Sequence, residues 1–96
     1  MTTTIIPAFT FGVDDVFEFS GGITVFVGKP TSKAAPRTLT PCEVEVLVDG
    51  RSVATIQLIS ERMSGHRDPS VRAVETRAPI DLTTIRGHEC QLIHRE

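Results

Sequence analysis

Stretches in which β-branched and aromatic residues recur at every second position, cut short by Gly and Pro, set the tightest limit on what this chain can become. Val44, Val46 and Val48 alternate with Glu43 and Glu45; Ile23, Val25 and Val27 alternate with Thr24 and Phe26; Phe17 and Phe19 flank Glu18. A spacing of two puts one set of side chains on one face of a pleated strand, whereas a helix needs a period near 3.6. The pattern predicts an all-β chain. Ser20-Gly21-Gly22 offers a turn that makes a hairpin of the first two segments. Asp49-Gly50 supplies the positive φ of a tight turn between the valine strand and a strand over residues 53–59. Residues 71–76 and 89–94 read as short closing strands, separated by residues 79–87.

Six or seven short strands in 96 residues make one domain over residues 1–96, since a second core would leave each half too little surface to bury. These strands point to a small closed barrel or a sandwich rather than an open sheet, and a closed antiparallel barrel is expected, because closure removes exposed strand edges. All five phenylalanines fall between Phe9 and Phe26, so the first third supplies the bulk of the core. The predicted interior holds Phe17 or Phe19 together with Val25, Val44, Val46, Ile56 and Leu92. Residues 31–41, rich in proline, and the polar residues 60–69 read as two long surface loops.

Charge narrows the partners. Lys and Arg number 10 against 12 Asp and Glu, a net −2, so whole-molecule attraction to a polyanion is not expected. Basic residues do recur locally: Lys29, Lys33 and Arg37 in the first loop, and Arg62, Arg67, Arg72 and Arg77 at intervals of five, interleaved with Glu61, Asp68 and Glu75. An interval of five fits no single strand face, which favours solvated charges over an anion-binding patch. The apolar runs are too short for a membrane span, and no basic residue precedes the apolar stretch near Met1, so a cytoplasmic protein is expected. Cys42 and Cys90 are then expected to be free thiols.

Catalytic patterns are sparse. Ser64, His66 and Asp68 could be assembled into a nucleophile, base and orienter, but their i, i+2, i+4 spacing in a polar loop gives no aligned geometry. His88 and Cys90, one residue apart on a predicted strand, would share a face and could be joined by Cys42 or His94 as metal ligands. The close ligand pairs of a structural zinc site are missing, and no metal or other cofactor is expected. Nor does the chain contain the Gly-x-x-x-x-Gly-Lys-Ser/Thr phosphate loop, so nucleotide hydrolysis is not implied.

The run Asp14-Asp15-Val16-Phe17-Glu18-Phe19-Ser20-Gly21-Gly22-Ile23-Thr24-Val25-Phe26-Val27-Gly28 resembles the opening of the second domain of translational GTPase elongation factors. An acidic pair, Val-Phe, then Ser-Gly, Thr-Val and Gly follow one another there without a gap. Phe9, the Glu43-Val44-Glu45-Val46 strand and the Arg86-Gly87 turn before the last strand extend the likeness. The resemblance implies a six-stranded Greek-key barrel of the translation-protein kind. In elongation factors that domain binds; it contacts the GTPase domain and holds the aminoacylated 3′ end of transfer RNA. Asp14 and Phe17 match positions of the family's aminoacyl pocket. Val27 stands where a threonine is usual, and Gln57 and Ser60 where an acid and an arginine are usual, which implies the scaffold without that ligand.

Three function classes follow from these residues. A non-enzymatic binding module that meets a protein partner through the barrel face or its long loops fits the lack of catalytic motifs. An RNA-binding or ribosome-associated domain is the alternative, favoured by the resemblance and opposed by the charge. An enzyme or metal protein would need the His and Cys positions to converge. The residues singled out for binding are Asp14, Phe17, Lys29, Lys33, Arg37, Arg62 and Arg67.

Overall fold

Alternation in sequence becomes register in the computed structural model, which describes residues 8–31, 40–62, 67 and 70–95. The elements are β1 (Phe9–Phe19), β2 (Ile23–Pro30), β3 (Cys42–Val48), β4 (Arg51–Arg62), β5 (Arg72–Thr76), α1 (Leu82–Ile85) and β6 (Cys90–His94). All six strands pair antiparallel and close on themselves in the order β1-β2-β5-β4-β3-β6. No helix among the described residues is long and apolar enough to cross a membrane.

The two predicted hairpins are present. β1 and β2 meet through Ser20-Gly21-Gly22, and β3 and β4 through Asp49 at φ 51° and Gly50 at φ 81°, the left-handed pair that a two-residue turn requires. Val44, Val46, Ile56 and Leu92 are buried in the core as expected, with Phe9, Phe11, Phe26, Leu58 and Val74 beside them. Barrel ends differ. One carries the tight turns and α1, whose N-cap Asp81 accepts from the Thr83 backbone N–H and hydroxyl. The other receives the starts of β1, β3 and β5 and the ends of β2, β4 and β6, where the connections are long.

Several expectations need correction. Phe17 and Phe19 are 44% and 45% exposed and lie outside the barrel. The cause is a β-bulge: Val13 pairs with Gly28 and Asp15 with Val27, so Asp14 is an extra residue in β1. Phe9, Phe11 and Val13 point inward at odd positions; past the bulge Val16 points inward instead, and the later odd positions face out. Val25 is 3% exposed but shares that outer face, opposite Phe17, while its neighbour Phe26 fills the core.

The polar residues 60–62 are strand, not loop. Cross-strand pairing supports them: Ser60 with Glu75, Arg62 with Glu75, and Glu61 with Arg72. Lys29 likewise belongs to β2, opposite Gly12, so the strand runs past the point where the sequence suggests it stops. α1 has no counterpart in the sequence reading, which leaves residues 79–87 unassigned.

Candidate functional site

The outer face of β1, β2, β5 and β4 gathers more distinctive side chains than any other surface described. Pairing sets one row as Phe17, Val25, Glu75 and Ser60, and the next as Asp15, Val27, Ala73 and Arg62. Val25 and Ala73, each 3% exposed, form an apolar floor, and the two phenyl rings stand half clear of it. Arg62 closes the group from the far side. Its guanidinium carbon lies 4.9 Å from the centroid of the Phe19 ring, and its Nε donates to Glu75 Oε2 at 2.5 Å. A cation over an aromatic face contributes on the order of 0.5–1 kcal/mol at an exposed site.

Glu75 anchors this arrangement. Ser60 Oγ donates to its other carboxylate oxygen, and this bond, followed by the one from Arg62, holds the Glu75 carboxyl below its ordinary 4.5. Arg77 adds a weaker electrostatic pull. Glu75 and the Phe19 ring thus orient the Arg62 guanidinium while its side chain stays 42% exposed. Among the described residues, its two terminal nitrogens make no hydrogen bond.

The residues singled out from the sequence separate into distinct places. Phe17 and Arg62 come together on the outer face, with Val27 and Ser60. Asp14 does not join them. As the bulge residue it lines a cleft of about 120 Å³ on the other side of β1, with Asp15, Arg86, Gly87 and His88. Lys29 is exposed on β2, and Arg67 is exposed between β4 and β5. Lys33 and Arg37 lie outside the described residues, as do Ser64, His66 and Asp68.

His88 and Cys90 do not share the expected strand face. His88 precedes β6, is exposed, and binds Asp49 Oδ2 through Nδ1 at 2.7 Å, whereas Cys90 is 3% exposed in the interior. Asp49 also accepts from the Glu89 backbone N–H; the His88 bond chiefly, then this one, lowers its carboxyl below 3.8. His94 Nδ1 donates to the Glu43 carbonyl at 2.7 Å and its ring lies 5.5 Å from that of Phe9, four positions along β6 from Cys90. Among the described residues no three His, Cys, Asp or Glu side chains converge on a possible metal position.

Both cysteines are buried, and neither is in a disulfide. Cys90 pairs with Val48 at one end of β3 and Cys42 begins the other, a separation of about 20 Å at roughly 3.4 Å per residue, far beyond disulfide reach. Burial pushes each thiol up to about 11, so neither is a ready nucleophile.

Glu75 is the member of this group that the sequence does not single out. Its alternation within β5 marks it as outward-facing, but only the pairing of β5 with both β2 and β4 sets it between Phe17 and Arg62. Compared with protein-family models, with curated proteins and with solved structures, the chain matches none.

Proposed function

We propose that this chain is a non-enzymatic binding module, cytoplasmic and built on a barrel of the translation-factor kind, which meets a protein partner through the outer face of β1, β2, β5 and β4. One observation carries the reading: two phenyl rings, at i and i+2 on one strand face, remain almost half exposed beside a guanidinium held in place by Glu75. Aromatic and Arg side chains are enriched at protein interfaces and dominate their energetics. The closed ring leaves no free strand edge, so side chains rather than an added strand make the contact. The resemblance of residues 14–28 to the second domain of elongation factors supports a binding role, and a Greek-key connectivity is part of the same proposal.

An RNA contact is the second reading, since exposed rings beside an arginine can stack on bases. Asp14, Asp15 and Glu18, all exposed on β1, oppose it by repelling phosphate. Affinity capture from native lysate, with and without nuclease, separates the two. The protein reading expects a saturable, nuclease-resistant partner that is lost on combined Phe17→Ala and Phe19→Ala substitution. Recovery of RNA alone, or capture indifferent to both rings, overturns it.

A further inference from the structure

We infer that the occupant of this outer face is a short peptide segment presenting a carboxylate beside an apolar side chain, with the carboxylate on the terminal nitrogens of Arg62 and the apolar group between Phe17 and Phe19. The inference rests on the protein-binding reading and names the chemistry of its partner. Arg62 is the reason for the carboxylate. Its Nε is committed to Glu75 and its plane to the Phe19 ring, and among the described residues its two terminal nitrogens have no hydrogen-bond partner. A guanidinium oriented this way has given up part of the rotamer freedom that binding would otherwise cost, and its remaining donors match the two oxygens of a carboxylate. Although Glu75 neutralises one positive charge, exposed Arg77 lies close enough to act on the same carboxylate, so the Arg62 end is net positive. Asp15, in the row of Val27 and on the far side of Phe17, gives the opposite end the opposite sign.

Area argues for a segment rather than a globular partner. Two phenyl side chains of roughly 150–250 Å² each, exposed to 44% and 45%, offer on the order of 200 Å² of aromatic surface. A standard interface buries about 800 Å² on each side. The closed ring again excludes strand addition, so recognition falls on the fork and the rings.

The test is a titration of the isotopically labelled full chain, followed by amide chemical shifts, with N-acetyl-phenylalanine and with N-acetyl-phenylalanine amide as probes. The acid should give saturable shifts, in the millimolar range, at Phe17, Phe19, Ile23 and Arg62, and the amide should bind at least about fivefold more weakly. Arg62→Gln should abolish the preference for the acid, and Arg62→Lys, which keeps the charge without the fork, should weaken it. Equal affinity for acid and amide, shifts centred elsewhere, or an oligouridylate occupying the face at lower concentration each overturns the inference. If lysate capture depends on Phe17 and Phe19 while the acid gains nothing from Arg62, the carboxylate inference fails and the protein-binding reading stands.

Discussion

The two halves of β1 are built from similar residues and end in opposite environments. Before the bulge, Phe9 and Phe11 are 3% and 0% exposed; after it, Phe17 and Phe19 are 44% and 45% exposed. Hydrophobicity does not distinguish these pairs. One inserted residue, Asp14, does, because strand faces alternate with a period of two and a single extra position inverts every assignment beyond it. The phenylalanines of the first half are core and those of the second half are surface, although both pairs read alike in sequence.

The bulge itself is the most sensitive place to break this comparison. Opposite Val13, Gly28 lies so near β1 that a Cβ built on it would stand 1.9 Å from the Gly12 carbonyl oxygen, a backbone atom that cannot step aside. Gly28→Ala is expected to cost more than about 3 kcal/mol. Loss of the dispersed amide spectrum, or a steep fall in the urea midpoint, checks this; an unchanged midpoint shows that the close approach is not a constraint.

Next in size is the contrast between the phenylalanines. Phe11→Ala should lose about 3–5 kcal/mol, a large part of the stability of a domain this size, whereas Phe17→Ala should lose about 1 kcal/mol or less. Paired urea titrations decide it. Similar losses at the two positions would mean the second half of β1 is packed as tightly as the first.

A smaller effect belongs to the charges beside the exposed rings. The Glu75 carboxyl is lowered in the folded protein, first by Ser60 and then by Arg62, so its contribution is fully present above pH 4.5 and is lost as pH falls through the lower folded value. Stability measured below pH 4.5 should therefore decline less steeply for Glu75→Gln than for the wild-type chain. Parallel acid limbs would assign the decline elsewhere, with Asp49 and Asp81, both also lowered, the next carboxylates to examine.

The smallest expected signal is none at all. Cys42 and Cys90 belong to the interior that Phe9 and Phe11 share, so a thiol reagent at pH 8 should label neither in the folded chain and both after unfolding. Rapid labelling of either one in the folded state would show that the interior opens locally.

Much of the architecture was legible because β3, the first part of β4 and β2 obey simple alternation, and Asp49-Gly50 names its own turn. What escaped did so for identifiable reasons. Asp14 looks like half of an acidic pair, and nothing in the letters says that one of the two is surplus to the ladder. Residues 60–62 lack apolar alternation because ion pairs to β5 take its place. Phe17 and Arg62 could each be singled out, but they stand 45 positions apart, and their meeting depends on β5 lying between β2 and β4, an order no local pattern encodes. Glu75 was hidden for the same reason.

Ring order also dictates when the molecule can exist during synthesis. β6, the last strand, sits between β3 and β1, so the five earlier strands can form only an open sheet. Until it emerges, both flanking edges are unpaired, and Phe9, Phe11, Val44 and Val46 face a gap where Leu92 belongs. Ribosomes add about 5–20 residues per second, and pairing Val13 with Cys90 joins positions 77 apart, so the vulnerable interval lasts until β6 has cleared the exit tunnel. A truncation that stops short of β6 leaves a sheet with two adhesive borders, and its expected fate is aggregation.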